Sequence, residues 1–154
     1  MCSSDLAEIL KSSLIANYKN FKFLSDNLNS IINIQQPYIG KAILNSCNLK
    51  KKIVQKDEVE KNIRKVLNLG HTFAHAYEAS LGYSKKLNHG EAVLLGMCSA
   101  LKFSYQNKFL KKNEFKSVLK HLENSNLNLD IKKFFSQKDL DKILLFMEIG
   151  RAHV

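Results

Sequence analysis

Residues Arg64–Met97 read RKVLNLGHTFAHAYEASLGYSKKLNHGEAVLLGM, and this stretch decides the fold. It contains three of the chain's five histidines. His71 and His75 are four apart, which in a helix places them on one face with Cβ atoms roughly 5–6 Å apart. His89 precedes Gly90 and Glu91 in what reads as a turn beyond that helix. Two imidazoles from a helix and a third from a turn can converge on one divalent cation. Zinc takes imidazole nitrogens at about 2.0–2.1 Å and carboxylate oxygens at about 2.0–2.2 Å, and a catalytic site keeps positions open. Spacing alone therefore nominates His71, His75 and His89 as ligands.

Working outward, Leu67–Leu81 reads as one helix closed by Gly82, with Phe73, Ala76, Tyr77 and Leu81 facing neighbours. Ala92–Phe103 is apolar on nearly every side and reads as the central buried helix. Met97 and Cys98 are then core residues. Upstream, Ala7–Ile15 is a helix with Ile9, Leu10 and Leu14 apolar. Glu8 and Lys11 share a face there, and on pattern alone they form a weak surface ion pair. Tyr18–Ile34 has helical spacing at Phe21, Leu24, Leu28, Ile31 and Ile32. Pro37 suits the first turn of the next helix, along which Ile39, Ile43, Cys47 and Val54 make a stripe. Lys50 lies on the same stripe and either snorkels outward or reaches a polar pocket. Asp57–Arg64 is charged and reads as a loop or short helix. Downstream, Phe115, Val118, Leu119 and Leu122 mark an amphipathic helix, with His121 at its surface or boundary. Asn124–Ser125–Asn126 is a turn. Ser136 and Asp139 resemble a capping box opening a last helix, marked by Leu140, Ile143, Leu144 and Met147. No repeat or strand-period run is present, so the fold class is all-α.

The length, 154 residues, suits one domain with a proper core. No apolar run is long enough to span a membrane and no signal peptide is visible. Three scattered cysteines make no disulfide framework and fit a reducing cytosol, hence a cytoplasmic chain. The net charge of +10 fits a lysine-rich solvated surface or the attraction of an anion. No aromatic-interleaved basic motif, zinc knuckle or helix-turn-helix signature points to nucleic acid. The two ends, MCSSDL and IGRAHV, read as translated adapter DNA. Residues 1–6 and 149–154 are expected to be scars around a helical domain at 7–148, itself a piece of a longer protein.

The central stretch resembles the C-terminal, metal-binding domain of the 3-dehydroquinate synthase family. The family pattern is close to R-x-x-L-N-x-G-H-T-x-G-H-A-x-E, then G-Y, then H-G-E-A-V-x-x-G-M. Here it is matched by Arg64, Leu67, Asn68, Gly70, His71, Thr72, His75, Ala76 and Glu78, then Gly82 and Tyr83, then His89 through Val93, Gly96 and Met97. The resemblance implies Glu8, His71 and His89 as ligands of Zn2+ or Co2+, with His75 contacting substrate. It implies that Lys11, Lys50, Arg64 and Asn68 bind substrate, Glu8 and Lys11 matching an A-E-x-x-K segment. A guanidinium fork such as that of Arg64 suits a carboxylate or phosphate. The implied reaction converts an anionic sugar phosphate, 3-deoxy-D-arabino-heptulosonate 7-phosphate, to 3-dehydroquinate and phosphate. NAD is the implied redox cofactor, bound mainly by an α/β half that precedes the A-E-x-x-K segment. The intact enzyme is implied to be a homodimer, and the chain alone is expected not to turn over substrate. Three positions depart from the pattern: Asn62 and Ala74 replace glycines, and Asn88 is an extra residue before His89. Rival readings are another sugar-phosphate cyclase, the helical domain of a metal-dependent alcohol or glycerol dehydrogenase, and a basic helical module for nucleic acid.

Overall fold

A computed structural model describes residues 2–125 and 129–152. The described residues contain helices and turns and no strand, the all-α class expected. Their contacts gather into two compact units, one over residues 1–69 and one over 70–154.

The first unit holds α1 (Ser3–Ala16), α2 (Tyr18–Ile32), α3 (Tyr38–Lys56) and a 3-10 helix at Ile63–Asn68. The three α-helices pack pairwise against one another. α1 buries Leu6, Ala7, Ile9 and Leu10; α2 buries Leu24, Leu28 and Ile31. α1 begins at Ser3, inside the stretch read as a scar, and Leu6 is part of its core. α2 starts on an Asn17 cap, whose side chain accepts from the Asn20 N–H at 2.9 Å. It ends at Ile32, two residues before the expected end, because Ile34 takes a left-handed φ of 58°. There the Ile34 and Gln35 N–H groups donate back to the Ile31 and Ser30 carbonyls, a Schellman closure. Pro37 sits just before α3 rather than in its first turn.

On α3 the expected stripe is only partly right. Ile39 is buried, but Ile43 and Cys47 are exposed, and the buried face runs through Ile39, Ala42 and Ile53. Helix packing accepts small residues such as Ala42 on its inner face, so the large apolar residues alone do not mark the buried stripe. Lys50 is half-exposed and reaches a carboxylate instead of running out to solvent.

The second unit holds α4 (His71–Ser80), α5 (His89–Gln106), α6 (Lys112–Glu123) and α7 (Leu140–Ala152). α4 packs against α5 and α7, and α5 against α6. α5 is the buried centre expected: Val93, Leu94, Leu95, Met97 and Cys98 are all buried. The expected helix at Leu67–Leu81 is shorter than it reads. Gly70 has φ 82°, which breaks the α-helix, so α4 starts at His71 and the residues before it form the 3-10 turn. Its end is as expected. Gly82 (φ 60°) and Tyr83 donate to the Ala79 and Glu78 carbonyls in a second Schellman closure. The Ser136–Asp139 capping box is present and leads through a 3-10 turn at Gln137–Asp139 into α7. Of the apolar residues expected to face inward on α7, Ile143 is buried while Leu140 and Leu144 are exposed. Asn126 of the expected turn lies outside the described residues.

His121 is also corrected. It is buried at 2% exposure on α6, and burial lowers its pKa to about 4. The unfolded imidazole titrates near 6.5, so below that pH the unfolded chain takes up a proton that the fold excludes. Stability therefore falls as pH drops from about 6.5 toward 4, by roughly 3 kcal/mol over that range. Denaturant titrations between pH 7 and 4.5 should show this slope, flattened in His121→Leu. A second expectation concerns Ile34. A β-branched residue in the left-handed region costs about 1–2 kcal/mol that glycine avoids, partly offset by glycine's greater freedom when unfolded. Ile34→Gly should raise the unfolding free energy by about 1 kcal/mol in urea melts.

Candidate metal and substrate site

In the second unit the three histidines come together around the α4–α5 contact. This contact is made through two glycines. A Cβ built on Gly96 would lie 2.2 Å from the Gly70 carbonyl oxygen, and one on Gly70 would lie 2.7 Å from the Met97 nitrogen. Backbone thus meets backbone where α4 begins, and His71, the first residue of α4, is fixed against α5. The rings of His71 and His75 are 5.5 Å apart between centroids, and those of His71 and His89 5.9 Å. Two imidazoles sharing one Zn2+ through nitrogens at about 2.0–2.1 Å hold their centroids roughly 5–6 Å apart. Both pairs fit that spacing. Among the described residues no three His, Cys, Asp or Glu side chains already gather as a metal site.

His89 is the first residue of α5, not a turn residue. Asn88 is the helix cap: its side chain accepts the Glu91 N–H at 3.1 Å, and the Glu91 carboxylate accepts the Asn88 N–H at 3.2 Å. The cap therefore pins His89 at the start of a rigid helix. The His89 Nδ1 lies 3.0 Å from Glu78 Oε1. Glu78 belongs to the motif, but sequence reasoning gave it no role. Its position seven residues beyond His71, two helical turns, was the available signal.

In the first unit, Glu8, Lys11 and Lys50 form one cluster. Glu8 accepts from Lys11 Nζ through Oε1 and from Lys50 Nζ through Oε2, both at 2.5 Å. Burial raises the Glu8 carboxyl, but the hydrogen bonds and charges of the two ammonium groups outweigh it and hold it below the usual range. Lys11 is 3% exposed. Burial lowers its pKa, against the pull of Glu8, with the Lys50 charge lowering it further. The surface ion pair read from the pattern is thus a largely buried ammonium held by a carboxylate. Each Glu8 oxygen keeps a second lone pair, so the lysines do not use up its capacity as a ligand.

Arg64 and Asn68 lie together around Glu60, another residue that sequence reasoning missed. Asn68 Nδ2 donates to Glu60 Oε1 at 2.6 Å, and Arg64 Nε is 3.7 Å from Oε2. Glu60 has φ 56°, a conformation no sequence pattern here announced. Asp57 organises the same loop by accepting from the Lys61, Asn62 and Arg64 N–H groups at 3.0, 2.7 and 3.0 Å. The hydrogen bond from the Arg64 backbone is the main cause holding its carboxyl below the usual range. An apolar groove of about 570 Å³ adjoins Asn68, lined by Ile15, Leu49, Ile53, Ile63, Val66 and Leu69; Glu8, Lys11 and Lys50 do not line it.

The sequence matches the family described as 3-dehydroquinate synthase C-terminal over residues 5–150. A 3-dehydroquinate synthase of Pelagibacter ubique (strain HTCC1062) is 56% identical over 140 residues, 91% of this chain and 38% of the relative. That of Ruthia magnifica subsp. Calyptogena magnifica is 38% identical over 143 residues, 93% of this chain and 40% of the relative. That of Thermoanaerobacter pseudethanolicus (strain ATCC 33223 / 39E) is 33% identical over 149 residues, covering 97% and 42%. The chain thus spans about two-fifths of the length of these curated relatives. Among the described residues no helix is long and apolar enough to cross a membrane.

If the glycine contact sets the histidine geometry, Gly96→Ala should cost about 1–3 kcal/mol by overpacking. Thermal melts would read the loss. The His71 and His89 imidazole resonances should shift with it, while the signals of α1–α3 stay in place.

Proposed function

The chain belongs to the 3-dehydroquinate synthase C-terminal family, and from that premise we propose that it forms the metal- and substrate-binding part of a 3-dehydroquinate synthase. Such an enzyme is a carbon–oxygen lyase that converts 3-deoxy-D-arabino-heptulosonate 7-phosphate to 3-dehydroquinate and phosphate. The observation that carries the reading is the approach of His71 and His89 within the family's own motif.

In this proposal His71 and His89 hold Zn2+ or Co2+, and Glu8 is the carboxylate ligand, offsetting part of the ion's charge. When bound, the metal supplies a Lewis acid for the substrate's oxygens, and NAD a reversible acceptor of hydride. His75, one turn along α4 from His71, faces the substrate and can hold or move a proton. Lys11 and Lys50 bind anionic oxygens as point charges; Arg64 offers the planar fork that takes two oxygens at once. Asn68 donates a neutral hydrogen bond beside it. Fixing a flexible anion in one geometry lowers the entropic part of the barrier before any bond changes. Lys11 suits this task because it is already stripped of water, so its charge acts with little screening.

The test is the metal content of the purified chain after exhaustive dialysis. The wild type should retain about one equivalent of zinc, and His71→Ala and His89→Ala should lose it, since removing a ligand also removes its binding energy. His75→Ala should keep the metal. Retention by all three variants, or equal loss in His75→Ala, would overturn the ligand assignment.

A further inference from the structure

We propose that Glu78 is a positioning residue for this centre, fixing the tautomer and orientation of the His89 imidazole. The inference rests on the metal-site reading above. The Glu78 Oε1 and His89 Nδ1 are 3.0 Å apart. An ionised carboxylate can only accept hydrogen bonds, so the proton of this contact sits on Nδ1. In a neutral imidazole the lone pair is then on Nε2, and a metal ligand needs that lone pair.

The placement suits a brace. The Glu78 side chain is 13% exposed and that of His89 49%, so the carboxylate is the more anchored partner and about half of the imidazole side chain stays open. Glu78 follows His71 by seven residues, so the helix face that carries one ligand also carries the group that orients the other. The α4 backbone is tied at this point, because the Glu78 carbonyl accepts the Tyr83 N–H at 2.8 Å. A plain tie between α4 and α5 would share the distance but would not select a tautomer. Glutamine keeps a hydrogen bond at this position yet can offer either its oxygen or its amide to the ring, so Glu78→Gln separates the two roles.

The experiment compares the whole chain with Glu78→Gln and Glu78→Ala. In metal-free protein at about pH 8, where an ordinary imidazole is neutral, long-range 1H–15N spectra should show His89 as the Nδ1–H tautomer. In Glu78→Gln the same spectra should show a mixture. Zinc affinity, measured by competition with a chelator, should fall roughly 10–100-fold in both variants, while the melting temperature of Glu78→Gln stays near the wild-type value. An unchanged His89 tautomer together with unchanged zinc affinity in Glu78→Gln would overturn the inference. His71→Ala and His89→Ala separate the two possible failures. If they abolish zinc binding while Glu78→Gln does not weaken it, the role of Glu78 alone is refuted. If they too leave it unchanged, the metal site is refuted and the role of Glu78 with it.

Discussion

The meeting of Gly70 and Gly96 is the constraint on which the site depends. No side chain fits where the Gly70 carbonyl faces α5, so the helices approach at backbone distance. The same glycine turns the chain through a left-handed conformation that ends the 3-10 segment and starts α4 at His71. One residue thus sets both where the helix starts and how near it lies to its neighbour. A helix begun one residue earlier or later would rotate every side chain on it by about 100°. His71, His75 and Glu78 would then face elsewhere. The position of His89 is fixed independently, by the Asn88–Glu91 cap at the start of α5. Rigid helix ends of this kind place functional groups more closely than loops do.

The first unit solves a different problem, which is to keep cations in place without the lysines repelling one another. Glu8 stands between Lys11 and Lys50 and accepts from both. A buried ammonium with no carboxylate beside it is costly, whereas a paired one is tolerable. Lys11 can therefore stay inside the helix packing and remain a charge. Asp57 and Glu60 act similarly on the loop that follows: one collects three backbone donors, the other collects Arg64 and Asn68. Acidic residues are few in this basic chain, and several of them serve to aim basic or amide groups.

The sequence was most readable where chemistry and periodicity coincide. The α5 core, the Gly82 stop and the Ser136–Asp139 cap follow from residue type at fixed spacing, and the structure contains all three. The histidine spacing showed that His71 and His75 share a face, and the rings do lie together. It did not show the α4 start, because Leu67 and Leu69 extend the helical pattern past Gly70 and only backbone contact with Gly96 reveals the break. The buried stripe of α3 was misplaced for a related reason: Ile43 and Cys47 are apolar, but burial there follows the packing of α1 and α2, which no single-helix pattern encodes. Glu60 and Glu78 carry charges that pattern reading assigns to solvent. Their partners, Asn68 and His89, are eight and eleven residues away and become neighbours only once the turns between them are built. His121 reads as a surface or boundary residue because it lies beside the apolar stripe of α6, whereas the fold closes over it.

The central claim is that the glycine-set geometry gives a metal ion two imidazoles, those of His71 and His89, and leaves His75 for the substrate. Proton NMR of the Co2+-loaded chain tests this directly, because each coordinated imidazole contributes one strongly shifted, exchangeable ring N–H. The account predicts two such signals, both lost in His71→Ala and in His89→Ala, which no longer hold the metal, and both kept in His75→Ala. No shifted N–H signal, or a third one that disappears with His75, would contradict it.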